Sequence, residues 1–153
     1  MEQENYSKTL NASNFWYAHS YELEPDKDSY YRHNHSRYEL YIFLEGDLDF
    51  IVEDRVMPLK SGTVVLIRPF QYHYAMIKAS TVYHRIICNF DRSLVYPELY
   101  SFLDGGRELF VWDDNRYRAA FHDLESHLGQ YSTGDAALLV QIYLNRLLMD
   151  LKY

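Results

Sequence analysis

His33, His35 and Glu39 are the residues of this chain best spaced to do chemistry. The two histidines are two positions apart, so on a strand their side chains share a face, and Glu39 has the same parity. Two imidazoles and a carboxylate converging on one point suit a divalent transition metal. A third histidine, His73, ends the segment Arg68-Pro69-Phe70-Gln71-Tyr72-His73, and a barrel would bring it beside the other three. Tyr41 and Phe43 continue the parity of Glu39, and Phe50 and Tyr72 fall within reach of the same interior. These aromatics either line a pocket or fill a small barrel as plain core. As a pocket, an aromatic floor under a Tyr and His rim suits a sugar or another small polar ring. Arg32, Arg37 and Arg68 offer charge to an anionic ligand, or are ordinary surface residues. His84 reads as an ordinary strand histidine, and His19, His122 and His127 as solvated ones.

The elements that must position these residues divide by period. From about Phe15 to Phe90 the pattern is short strands between turn residues. Leu48, Phe50 and Val52 alternate with Asp47, Asp49 and Ile51, the mark of a half-buried strand between turns at 45–47 and 53–55. Tyr38 to Leu44 and Thr63 to Ile67 are uniformly apolar, as strands covered on both faces are. Val82 to Phe90 predicts another strand, Leu109 to Trp112 a last one, and Leu94 to Leu103 a short helix broken by Pro97. Two helices follow. Tyr117, Ala120, Phe121, Leu124, Leu128 and Tyr131 make one apolar face. The second helix runs from about Asp135, at its N-cap, to Leu151. Its Leu139, Tyr143, Leu147 and Leu151 recur every four residues beside Val140, Leu144 and Leu148.

The 153 residues suit one ordinary domain, and 48% apolar composition allows a sizeable core. The expected division is an N-terminal extension at 1–14, a barrel at 15–112 and dimerisation helices at 113–153. A net charge of -7 with no Lys/Arg-rich run argues against this chain gripping DNA by itself. The single cysteine, Cys88, has apolar neighbours and predicts a reduced core thiol, not a disulfide or a nucleophile. The polar start and the lack of a long apolar run predict a cytoplasmic location and no membrane.

His33, His35, Glu39 and Gly46 match the first cupin motif, His-x-His, then Glu, then Gly, at each position. Gly62, Pro69 and His73 resemble the second motif with departures. Gln71 replaces a turn glycine, His73 comes one residue early, and Ile77 stands where an Asn is usual. The wording His-x-His-x-x-Tyr-Glu-Leu resembles the N-terminal domain of AraC/XylS-type transcription regulators. So does Gly62-Thr63-Val64-Val65-Leu66-Ile67-Arg68-Pro69, and so does Tyr83 to Phe90. The resemblance covers about residues 30–92. It implies a mainly β, cupin-like (double-stranded β-helix or jelly-roll) antiparallel barrel followed by a helical pair. It implies a small-molecule effector, such as a sugar, held by His33, His35, Glu39, Tyr41, Phe43, Phe50, Tyr72 and His73. In such sensors the His/Glu cluster often persists without metal. The expectation is therefore no cofactor, with a divalent metal on His33, His35, Glu39 and His73 as the alternative.

The leading expectation is thus a sensing and dimerisation domain, not an enzyme. It would pair with itself through Leu139, Tyr143, Leu144, Leu147, Leu148 and Leu151, and reach DNA only through a further domain absent from this sequence. The rival is a small metal-dependent cupin enzyme of the dioxygenase or isomerase type. That rival needs a filled metal site with an open position. A third reading is a binding protein with no regulatory role.

Overall fold

The computed structural model describes residues 3–112, 116–127, 129–130 and 132–153. Among these, nine strands form two antiparallel sheets. The larger sheet runs β1 (Tyr6–Ala12), β2 (Phe15–Glu22), β8 (Tyr83–Phe90), β3 (Tyr38–Glu45), β6 (Thr63–Ile67) and β9 (Leu109–Val111). The smaller runs β5 (Arg55–Met57), β4 (Leu48–Val52) and β7 (His73–Ile77). After β8 come two 3₁₀ turns, a short helix α1 (Tyr100–Leu103), α2 (Arg116–His127) and α3 (Thr133–Lys152).

β3 shows why the sequence folds into layers. Its Leu40, Ile42 and Leu44 enter a core shared with α2 and α3. Its Tyr41 and Phe43 enter a second core between the two sheets. Both faces are covered, so β3 and β6 read as continuous apolar runs instead of alternating ones. Leu40, Leu66 and Leu148 are fully buried where sheet meets helix, and each contributes about 1.5–3 kcal/mol by leaving water. Gly62, at φ +91°, lets the start of β6 meet Trp112; a Cβ there would lie 2.5 Å from the Trp112 carbonyl oxygen. Alanine at that position would break the join.

The expected mainly β jelly-roll with helices at its C-terminal end is present, its strands forming two facing sheets without closing into one ring. Other expectations need correction. Within the span 1–14, read as an N-terminal extension, residues 6–12 form β1, which pairs with β2 from Tyr6↔Tyr21 to Ala12↔Phe15. β1 is exposed along most of its length, so it leaves no apolar pattern to read. The strand β7 was not anticipated after Pro69. Ser132, not Asp135, caps α3: its hydroxyl accepts from the Asp135 N–H.

The dimerisation row is also reassigned. Leu144, Leu147, Leu148 and Leu151 are buried within the single chain, and Leu139 and Tyr143 are half-buried. Tyr143 donates to Asp123 Oδ2 and ties α3 to α2. The expectations for Leu128 and Tyr131, and for the side chain of Tyr117, lie outside the described residues. No helix among the described residues is long and apolar enough to cross a membrane.

Candidate metal centre and cavity

Glu39 sits on β3 between Ile67 of β6 and Asn89 of β8, at 3% exposure. The segment holding the first two histidines is pinned across it by the backbone. His33 and His73 exchange N–H···O bonds of 3.2 and 2.9 Å, and the Phe70 N–H donates to the His35 carbonyl at 2.8 Å. The turn that makes this possible puts Phe70 at φ 67°, a left-handed conformation that bulky residues avoid at a cost of about 1–3 kcal/mol. The Gln71 side chain steadies the turn by accepting from the Arg68 N–H at 2.8 Å.

One ligand atom from each of His33, His35, Glu39 and His73 falls within 4.8 Å of all the others. The orientation of the rings is as telling as the distance. His33 Nδ1 lies 2.7 Å from the Tyr31 carbonyl, His35 Nδ1 3.0 Å from that of Arg37, and His73 Nδ1 2.9 Å from that of Gln71. A carbonyl only accepts, so each Nδ1 carries the proton and each neutral ring presents a bare lone pair at Nε2. Yet His35 Nε2 and His73 Nε2 lie 2.9 and 3.1 Å from the same Glu39 Oε2. Lone pair against carboxylate is repulsive unless positive charge lies between them. Protonated rings supply it in one way and a bound cation in another. Backbone-anchored Nδ1 with Nε2 turned inward is the outer-shell pattern of metal-ligating histidine, so the donor set fits a divalent transition metal.

The electrostatics agree. Burial alone would raise the Glu39 carboxyl, but hydrogen bonds and charge from His35 and His73 outweigh it and hold the group near about 2. Burial opposes charge on His73 as well, and the Glu39 carboxylate overcomes it, so the imidazole lies above its ordinary value. The cluster stabilises positive charge at its centre.

A cavity of about 320 Å³ opens beside this cluster, between the two sheets. Glu39, His33 and His73 form one part of its wall, Tyr41 and Phe50 another, and the odd-numbered residues of β8 a third. Tyr41 stacks on Phe50 at 3.9 Å between ring centres, and its hydroxyl meets that of Tyr83 at 2.7 Å.

Residues 19–90, which hold the cluster and most of the cavity wall, match the profile of the cupin domain. The β-sandwich has the cupin fold. Solved structures similar to it include an RmlC-like cupin-family protein with a double-stranded β-helix fold from Methanocaldococcus jannaschii. That match has 13% identity and a TM-score of 0.47, and covers 58% of this chain and 82% of the other. A Cupin 2 conserved barrel domain protein from Salinispora arenicola matches at 17% identity and TM-score 0.46, over 58% and 77% of the two chains. A variant salicylate 1,2-dioxygenase from Pseudoaminobacter salicylatoxidans, solved with gentisate, matches at 15% and 0.43, over 52% and 22%. No curated protein matches the chain.

Within the cupin sandwich, the structure unites His33, His35, Glu39 and His73, and places Tyr41 and Phe50 on the cavity wall. It does not bring in Phe43 or Tyr72. Phe43 packs in the inter-sheet core away from the cavity. Tyr72 is exposed, with the Arg32 guanidinium over its ring at 4.4 Å. Arg37 and Arg68 spend their donors on backbone carbonyls. Trp16, Tyr30, Tyr83, Arg85, Ile87 and Asn89 line the cavity and were missed. The signal was present in β8, where apolar Ile86, Cys88 and Phe90 alternate with Arg85, Ile87 and Asn89. An arginine and an asparagine facing the inside of a sandwich mark a lining. Cys88 is buried as expected, and burial pushes its thiol pKa up.

Proposed function

We propose that this cupin senses a small molecule and pairs with a second copy of itself, as the effector-binding and dimerisation part of an AraC-type transcription regulator. The observation that carries the reading is the cavity between the sheets, aromatic on one side and polar on the other. In this reading His33, His35, Glu39 and His73 would hold a divalent metal beside one end of the effector. When bound, the metal supplies a Lewis-acidic contact for an oxygen or nitrogen of the ligand. The residues themselves hold the cluster's charge, exclude water and shape the wall.

α3 supports the pairing. With Leu144, Leu147, Leu148 and Leu151 turned inward, the outer face shows Leu138, Ile142 and Met149, each about half exposed. An antiparallel pair about a two-fold axis would set Leu138 against Met149 of the second copy and Asp135 against Lys152. Light scattering tests this. The chain should be a dimer at micromolar concentration, and the L138E/I142E/M149E variant a folded monomer that still binds effector. A monomeric wild-type chain at high micromolar concentration overturns the pairing.

The four-donor cluster at the edge of a cavity favours a second reading, a small metal-dependent enzyme. Incubation of the metal-loaded protein with candidate ligands separates the two. Ligand recovered unchanged by mass spectrometry supports the sensor; a metal-dependent product supports the enzyme.

A further inference from the structure

β8 is an interior strand, between β2 and β3, and its odd-numbered residues Tyr83, Arg85, Ile87 and Asn89 all line the cavity. An arginine and an asparagine facing inward from such a strand are costly unless their polar atoms are partnered. One of those atoms has no partner, and a second is held by an ion pair alone. Asn89 Oδ1 is buried with no hydrogen-bond donor near it. Arg85 Nη1 is buried and lies 2.6 Å from Glu22 Oε1, yet it has no acceptor in line for a hydrogen bond. The guanidinium is held in place by the Tyr83 ring, 4.2 Å beneath it. Glu22 is shared, since its other oxygen accepts from the Tyr30 hydroxyl at 2.7 Å. The guanidinium carries five N–H donors, more than the one Glu22 oxygen engages, so Arg85 can take a further acceptor.

The two groups are complementary in sense, a cationic donor and a neutral acceptor. They stand four residues apart on one strand face, about 13 Å between their Cα atoms. Ile87 lies between them, and Tyr41 and Phe50 contribute apolar wall to the same cavity. Asn89 is the cross-strand neighbour of Glu39, so its end of the cavity is the metal-cluster end.

We propose that the cavity takes a small monocarboxylic acid with an apolar middle and a hydroxyl or amine at its far end. The carboxylate meets Arg85, and the donor meets Asn89 Oδ1 beside the His/Glu cluster. A neutral sugar would set hydroxyls against Ile87 and Phe50. A dianion would exceed the charge that Arg85, already shared with Glu22, can balance. The inference rests on reading the cavity as a small-molecule site and names the ligand class for it.

Isothermal titration with para-hydroxyphenylacetate and para-hydroxyphenylpropanoate tests it, alongside their neutral amides and the analogues lacking the hydroxyl. At least one acid should bind, with its amide weaker by about tenfold or more, as expected for a charge-assisted hydrogen bond. The analogue lacking the hydroxyl should be weaker by about fivefold. R85Q should level acid and amide, R85K should restore part of the preference, and N89L should level the hydroxyl and deoxy analogues. Circular dichroism checks that each variant folds. Equal binding of acid and amide overturns the proposal, as does an acid preference that survives R85Q. If neutral pentoses or hexoses bind and both acids fail, the ligand class is wrong while the small-molecule reading stands. If neither acids nor sugars bind at millimolar concentration, both fall.

Discussion

His33, His35, His73 and Glu39 converge on a point, whereas His19, His84 and Glu125 run in a chain. The first group lies on the cavity side of the six-stranded sheet and the second on its helix side. In the first, each Nδ1 is satisfied by backbone and the Nε2 atoms are left facing a carboxylate. In the second, side chains satisfy one another. His19 Nδ1 lies 2.5 Å from Glu125 Oε1, and His19 Nε2 lies 2.7 Å from His84 Nε2. Tyr17 donates to Glu125 Oε1 at 2.5 Å, and Lys8 reaches Oε2 at 3.3 Å. One proton arrangement satisfies the chain: Glu125 accepts from His19 Nδ1–H, and His19 Nε2 accepts from His84 Nε2–H. The same residue types thus build a site that calls for positive charge between its rings and its carboxylate, and a joint whose protons are matched among its own side chains. The difference lies in what occupies Nδ1, not in composition.

That contrast predicts opposite responses to mutation. E39Q should weaken cobalt or zinc binding by at least about a hundredfold, because it removes a ligand and the charge that draws the cation. E125A should leave metal affinity unchanged but cost about 1–3 kcal/mol of stability, since it leaves the His19 and Tyr17 donors without their acceptor. Metal titration and urea unfolding on both variants check the crossing of effects. If E125A also abolishes metal binding, the two clusters are not independent.

A smaller effect should appear in the pH dependence. Burial, aided by His19, Arg118 and Arg85 and opposed by Glu125, lowers the His84 imidazole to about 4 from its ordinary 6.5. A depressed folded value means that the fold favours the neutral ring. Its contribution is complete above pH 6.5 and is lost as pH falls toward about 4. H84Q keeps a donor for His19 and should flatten the stability profile across that window. Unfolding midpoints measured from pH 7 to pH 4 would contradict this if both proteins lost stability in parallel. The smallest effect concerns α3 alone: S132A should cost about 1 kcal/mol through the lost cap, without change in metal or ligand binding.

The inner cluster was legible in the sequence because motif spacing and a turn proline carry it; His33 and His35 precede β3, so the bridge from His33 to His73, not strand parity, turns them toward Glu39. The outer chain was not. His19 and His84 look ordinary on their strands, and their partner Glu125 arrives from a helix about a hundred residues later, a contact no local period encodes. β3 and β6 were legible because both faces are covered. β1 was invisible because neither face is. The dimerisation row was misplaced for a related reason: the apolar stripe of α3 is wide, and sequence alone does not say which row the sandwich covers. Arg85 and Asn89 were passed over because a strand with one apolar face is ordinarily read as having a solvent face opposite, not a cavity.

The claim that the inner-face cluster holds a metal while the outer one is a structural joint is tested most directly by elemental analysis after equilibrium dialysis against micromolar zinc. Wild-type protein and the H19Q/H84Q variant should each retain one equivalent, and the E39Q/H73Q variant none. Background metal in the wild-type protein, or one equivalent retained by E39Q/H73Q, would contradict the account.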